Sequence, residues 1–545
     1  MSPRSSAEPP PTPAATPVAS SWVGSGPEPD FHGSNLAPRG ALTAALLAVF
    51  VGALDLTVIA TILPPMVADL RVNTADVDRY VWIVNGYLLA YVVAIPIFGR
   101  ISDLIGRPKA FQAALAIFVV GSIWCTLADS LVMLIAGRAI QGVGGGALLP
   151  VTMALVGDLL PPARRLAALG LVGAVDTLGW VLGPIWGAVV VGIIPGDEPW
   201  RWVFAINVPL ALGAALALAR TVRGLPKADS RGWFTRLDST GTVLLTIALI
   251  LLNLGLSAGG ELGTAESGAR ALGGTRNPIA AYSLPLTAGA ILLGAIFIWW
   301  ERRARNPLLP LGLFRDRRFA AAIAANALTG AALIVAMVDL PIVVALLVDP
   351  DRVSTISALM LAPFTLLMAV LALGGGVVAA RIGERATAVA GLTLVAVGYG
   401  ALWIGLRNGN LLSLVPGLVI AGAGFGLVIA PIGATAIDAA PAADRGIAAA
   451  LTLVFRLLGM TVGISALTAI GVGRLQRLVG DIESIHQAAG ETTAEFLARQ
   501  AIFIQEQIIP VSLLVIRETF LIAGVLALVA LIPVALLQKR QSPPA

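Results

Sequence analysis

The chain has 545 residues, 57% of them hydrophobic and 12% charged, against roughly 25% charged in an average soluble domain. So few charges cannot wet the surface of a soluble protein of this size, and most of that surface must meet lipid. The net charge of +5 is no nucleic-acid footprint, because the cations stand at the ends of apolar runs and not in one patch, and the one cysteine, Cys125, cannot form an internal disulfide.

Residues 1–38 are rich in Pro, Ala, Ser and Gly. They hold too little apolar surface to fold and lack the basic start and apolar core of a cleaved signal, so they read as a disordered cytoplasmic tail. An apolar helix needs about 20 residues to cross a bilayer. Fourteen runs qualify: 40–63, 80–100, 110–129, 131–158, 166–192, 201–221, 238–257, 284–301, 318–347, 354–380, 386–405, 412–437, 446–473 and 511–537. An even number puts both termini on one side. With the N-terminus inside, the inner segments carry 23 of the 36 Lys and Arg and the outer segments 11. This bias predicts both termini in the cytoplasm.

The runs divide as six, two and six. The stretch 374–388, GGGVVAARIGERATA, echoes 99–109, GRISDLIGRPK, with Ala380 where the first half has Asp103. Parallel six-helix halves are a recurring transporter design. The domains expected are a tail over 1–38, an N-terminal lobe over 39–222, a linker helix pair with loops over 223–305, a C-terminal lobe over 306–540 and a short tail over 541–545. The polar, Gly-rich segment 257–282 reads as a mobile loop between the linker helices. After residue 473 the apolar face continues through Leu475, Leu478, Val479, Ile482 and Ile485, and Thr492 with Glu495 makes a capping-box pattern. A helix over 446–488 would be about 64 Å long, twice the hydrocarbon thickness of about 30 Å. An extended extracytoplasmic helical hairpin, 474–510, is therefore expected before the last helix.

Several residues carry candidate chemistry. Asp55 lies mid-span in FVGALDLTVIATILPPM; a carboxylate there is expensive to leave ionised, so it is either a proton site or a permanent ion pair. In the loop 99–109, Gly99 lets two backbones approach, Gly106 punctuates the turn, and Arg107 and Lys109 supply charge. Asp103 at the helix end can meet a neighbouring helix N-terminus or an Arg, and so latch one conformation. Arg138 and Gln141 share a helix face, and Arg138 is a plausible partner for Asp55. Gly142 and Gly146 suit close packing. In GAVDTLGWVLGPIWGAVV, Gly179, Gly183 and Gly187 form a small-residue stripe, Pro184 sets a bend, and Asp176 is either a second proton or substrate group or a structural pair. Asp339 and Arg456 are buried charges of the second half, each needing a partner or a wet cavity. No Cys/His cluster suggests a metal, no GxSxG suggests a hydrolase and no glycine motif suggests a nucleotide. No cofactor and no catalytic residue is expected.

These motifs resemble the major facilitator superfamily. GRISDLIGRPK matches its loop between the second and third helices, RAIQG its RxxQG motif, and ALDLT the signature of its fourteen-helix drug:proton antiporters. The fifth span is similar to the exporters' GPxxGG motif, with Ala188 for the last Gly, and WRWVFAINVP matches the start of their sixth helix. The chain also looks like a mycobacterial group of these exporters that works with a periplasmic lipoprotein and exports triacylglyceride. The resemblance implies an all-α membrane protein of two six-helix lobes plus two linker helices, in the bacterial inner membrane. It implies alternating access, with Asp55, Asp176 and Arg138 coupling protons, and with Gly99, Asp103, Gly106, Arg107 and Lys109 as the cytoplasmic gate. Its partners would be protons, membrane lipids, an apolar or amphipathic cargo and an extracytoplasmic lipid-carrier lipoprotein. Multidrug efflux without a lipid role, and a non-transporting receptor or scaffold, are the competing readings.

Overall fold

A computed structural model describes residues 36–70, 82–196, 198–221, 232–271, 282–349, 352–480 and 492–537. Most of the expected tail over 1–38, the tail over 541–545 and the hairpin tip over 481–491 lie outside the described residues. Among the described residues every regular element is helical. The long helices are α1 (Leu36–Asp69), α2 (Trp82–Ile105), α3 (Arg107–Thr126), α4 (Leu131–Leu159), α5 (Pro162–Ile193), α6 (Arg201–Thr221), α7 (Ser239–Ala271), α8 (Ser283–Glu301), α9 (Arg317–Leu347), α10 (Val353–Ile382), α11 (Glu384–Gly405), α12 (Val415–Ala439), α13 (Arg445–Gly480) and α14 (Ile509–Ala535). Thirteen are long and apolar enough to span a membrane as single rods, and α5 joins them as a rod bent by 43° between its halves. The bend follows from Pro184, whose ring displaces the carbonyl of Trp180 one turn earlier.

Helix pairing displays the internal repeat. In the first lobe α1 packs on α5 and α6, α2 on α4, and α3 on α4 and α6. In the second lobe α9 packs on α13 and α14, α10 on α12, and α11 on α12 and α14. The pairings are the same with each helix number raised by eight. The linker helices α7 and α8 pack on each other, and α7 also leans on α13 and α2. Asp238 pins one end of this pair by accepting from Trp300 Nε1 at 2.8 Å. Glu301 accepts from the backbone of Leu308 and Leu309 at 3.2 Å.

Lipid tails are as apolar as Leu, so burial drives these contacts less than close packing does. Glycines supply the closeness. A Cβ on Gly142 would stand 2.4 Å from the Tyr87 carbonyl oxygen, and one on Gly146 2.3 Å from that of Tyr91. On α5, Gly179 and Gly183 meet the α1 backbone at Phe50 and Leu54, and Gly187 is buried. The stripes read from the sequence are thus the α4–α2 and α5–α1 interfaces.

Two elements extend past the apolar runs. At 36 residues α13 is about 54 Å long, well beyond the hydrocarbon. The return arm opens at Thr492, which accepts from Glu495 N at 3.3 Å while Glu495 Oε2 accepts from Thr492 N at 2.9 Å. This helix, Thr493–Phe503, passes through a π turn, Ile504–Ile508, into α14. Arg474 and Glu518, 3.3 Å apart, tie the two arms at their base. The second extension corrects an expectation: α7 runs to Ala271, so the segment expected as loop from residue 257 begins as helix. Its Ala, Glu and Leu residues are strong helix formers that offset the interspersed glycines.

Gly142→Val should clash with the α2 backbone and destabilise the protein by about 1–3 kcal/mol. Gly294→Ala, which adds a Cβ into open space, should be neutral. Thermal unfolding midpoints in one detergent compare them, and equal midpoints would contradict the packing account.

Candidate functional site

Asp55 is fully buried, and the first lobe folds a cage of donors around it. Arg138 Nη1 on α4 donates to Asp55 Oδ2 at 2.6 Å and to Gln141 Oε1 at 2.7 Å. Gln141 Nε2 donates to Asp55 Oδ1 at 2.9 Å, and Asn207 Nδ2 on α6 donates to the same oxygen at 2.7 Å. Ser122 on α3 accepts from Gln141 at 3.0 Å. The guanidinium lies 4.0 Å from the centre of the Tyr87 ring, which roofs the cage from α2. Arg138 itself is 1% exposed. Every carboxylate oxygen therefore has a charged or amide donor, and water reaches none of them. A proton can enter or leave Asp55 only when the cage opens.

The structure brings Asp176 to a different partner. Asp176 on α5 faces Arg456 on α13 at 3.7 Å, across the boundary between the lobes. Tyr91 stacks on Tyr87 with ring centres 5.9 Å apart, one helical turn further along α2. Asp339 on α9 meets neither Arg456 nor Arg138; its carboxyl contacts Thr519 on α14.

The loop 99–109 closes one end of the bundle, here termed the basic end because Arg100, Arg107, Arg165 and Arg445 gather there. Asp103 caps α13 of the opposite lobe: Gly446 N donates to Oδ1 at 2.9 Å and Ile447 N to Oδ2 at 3.0 Å. Arg107 pairs with Asp103 one turn away and donates from Nε to Asp158 Oδ2 at 3.1 Å. Asp158 also accepts from Arg445 across the seam at 3.2 Å. Arg100–Asp444, at 3.1 Å, and Arg165–Asp438 are further bridges between the lobes. A Cβ on Gly99 would stand 2.5 Å from that of Ala450. Gly106 adopts φ 91°, where a side chain would be strained, and Gly383 repeats this with φ 94°. Lys109 is exposed in the first turn of α3.

Packed seams between the lobes join α2 and α4 to α13, and α5 to α10 and α12. Among the described residues no comparable seam joins α1 or α2 to α9 or α10. One apolar cluster, including Met153, Val156, Ile437 and Leu451, continues across the basic end. The molecule is closed there.

Sequence reasoning missed Asn207, Tyr87 and Ser122 as cage members, although Asn207 stands as a lone amide in an apolar run. It also missed Asp158, Asp438 and Asp444, which lie at helix ends where an acidic residue has no distinctive signal.

Removing Arg138 alone should leave a buried carboxylate with amide donors only. Arg138→Met is expected to cost about 3–5 kcal/mol, and adding Asp55→Asn should restore part of that loss. Unfolding midpoints of the two variants check it; a double variant no more stable than the single one would refute the pairing.

Comparison with known proteins agrees with this geometry. Residues 45–464 match the Major Facilitator Superfamily profile. The chain is 37% identical over 477 residues to a triacylglyceride transporter of Mycobacterium tuberculosis, covering 85% of this chain and 88% of the relative. It is 38% identical over 447 residues to a triacylglyceride transporter of Mycolicibacterium hassiacum, covering 80% of each. Its fold resembles a proton:xylose symporter, with TM-score 0.57 and 13% identity over 90% of this chain and 95% of that one. It also resembles a human organic anion transporter, with TM-score 0.55 and 16% identity over 90% of this chain and 99% of that one. A profile match over most of the length, the curated relatives and the twice-repeated six-helix lobe agree: this chain is a multi-pass membrane transporter of the Major Facilitator Superfamily.

Proposed function

We propose that the chain is a proton-coupled exporter of apolar lipid, of the triacylglyceride class that its curated relatives are named for. It works by alternating access in a bacterial cytoplasmic membrane. The observation that carries the reading is the sealed Asp55–Arg138 cage inside one lobe of a bundle shut at its basic end. An ionisable group held out of water in a transporter lobe is worth its cost where its charge state biases two conformations.

The basic end faces the cytoplasm, a placement that the distribution of Lys and Arg supports. Asp103 with Arg107 then forms the inner gate. The closed basic end corresponds to the state open to the outside. Opening the Asp55 cage from the outer side admits a proton; the neutral acid no longer holds Arg138, and the lobes shift. Asp176 and Arg456 act on the same balance, since their pairing spans the two lobes and is broken whenever the lobes part there. The lobes are assigned to 39–222 and 306–540, with 223–305 as the inserted pair. The outer hairpin, 474–510, gives lipid an apolar path away from the bilayer surface and towards an extracytoplasmic carrier lipoprotein.

Asp55→Asn removes the titrating group and keeps the shape of the cage. Proton-coupled export, compared at equal amounts of folded reconstituted protein, should be lost; unchanged export would exclude Asp55 from coupling. Deleting residues 475–507 should stop lipid export and spare dye efflux. Loss of neither, with lipid export intact, would remove the hairpin from the path, and dye efflux without any lipid export in the intact protein would favour drug efflux.

A further inference from the structure

Among the described residues no cation pairs with Asp339, and the hydroxyl it does meet, that of Thr519, poses a proton-counting problem. Thr519 Oγ1 on α14 touches Asp339 Oδ2 and also lies 2.7 Å from the Ile516 carbonyl oxygen of its own helix. A hydroxyl carries one proton. If Thr519 gives it to Ile516, as buried helical Thr commonly does one turn back, the contact with Asp339 needs a second proton, and only the carboxyl can supply it. If Asp339 is ionised and takes the Thr519 proton, two oxygens are left facing each other at 2.7 Å with nothing between them.

The surroundings favour the first arrangement. Asp339 is half-buried, next to the apolar cluster that includes Ala336, Leu340, Val343, Ile516 and Phe520. The charged groups on the helices packed against α9 are engaged or placed elsewhere; of those on α13, Arg445 donates to Asp158 at 3.2 Å and Arg477 to the Gly473 carbonyl at 3.1 Å. Arg517 of α14 donates to the Trp403 carbonyl at 3.1 Å, and Glu518 pairs with Arg474 of α13. Arg456 of α13 pairs with Asp176, and Asp438 of α12 with Arg165. Arg381 of α10 lies in that helix's last turn, at the basic end. The Tyr399 hydroxyl of α11 contacts the Ala332 carbonyl and accepts from Ala336 N at 3.3 Å, and so is occupied on α9 itself. Among the described residues an ionised carboxylate here finds no counter-charge, whereas a neutral acid is satisfied by one acceptor.

We propose that Asp339 is a second proton-binding site, in the C-terminal lobe, holding its proton in this conformation by donating it to Thr519. The site is separate from the Asp55 cage: it lies in the other lobe, on other helices, and shares no residue with it. Its proton clasps α9 to α14, two residues before Pro341. Pro341 deprives the Met337 carbonyl of its helical donor, which makes α9 easiest to bend there. Asp339 is less deeply buried than Asp55. When the proton leaves, the carboxylate takes the Thr519 proton or turns away, and the clasp loosens.

The test is infrared difference spectroscopy of the full-length protein in nanodiscs, titrated from acid to alkaline pH without cargo, so it succeeds or fails independently of the lipid assignment. The wild type should show a neutral-carboxyl C=O band near pH 7 that Asp339→Asn abolishes and Asp55→Asn retains. Thr519→Val should move the band to higher frequency, because the acid loses its acceptor. Asn can donate to Thr519 as the neutral acid does, so Asp339→Asn should fold; should it not, the Thr519→Val shift alone decides. A wild type with no such band, or a band that Thr519→Val leaves in place, would overturn the proposal.

Discussion

A bilayer core offers no hydrogen bonds, so each polar group placed in it must find its partner within the protein. That constraint explains most of what is unusual in this chain. Asp55 is tolerable only because Arg138, Gln141 and Asn207 surround it. Those three come from two helices, α4 and α6, that must both pack closely on α1 or near it. Chemistry and packing meet at the cage: Gly142 and Gly146 seat α2, whose Tyr87 roofs it, Gly121 lets α3 approach Gln141, and Gly52 meets Gly145 where α1 and α4 cross.

The same constraint separates the two kinds of charge contact in the molecule. Asp55–Arg138 lies within one lobe and can persist while the lobes rock. Asp103 on the α13 amides, Asp158 on Arg445, Arg165–Asp438 and Asp176–Arg456 lie across the seam and cannot. The first kind holds paired charge inside a lobe, and the second kind joins the lobes to each other. An alternating-access machine needs both, and here they are linked by α2, whose Tyr87 roofs the cage and whose Tyr91 stacks beside it on the way to the seam.

Much of this was legible in the sequence. Fourteen apolar runs, the echo of 99–109 in 374–388 and the capping box at Thr492 correspond to helices, a repeated pairing pattern and a folded return arm. Asp55 and Arg138 stood out because charge is rare in a span, and Arg138 was named as a plausible partner for Asp55. Other contacts left no trace. Asp103 meets a helix N-terminus and an Arg, the two kinds of partner expected of it, but which helix it caps was not legible, because Gly446 and Ile447 offer only backbone amides and every residue has those. Asp176 reads from the sequence as a second proton or substrate group or as a structural pair; its partner, Arg456, is set by how the two lobes meet and not by local pattern. The helical continuation of α7 to Ala271 was hidden because glycines suggested a loop while the residues between them sustained a helix.

The length of α13 has a mechanical consequence. A single unbroken helix runs from the amides that Asp103 holds to Gly480, far past the bilayer. Such a rod carries a tilt made at the gate along its whole length. A tilt of about 10° pivoted at the gate would sweep the far end through roughly 9 Å over a rod of about 54 Å. Release at one face of the membrane is thereby geared to displacement beyond the other, with no soft joint needed to carry the stroke.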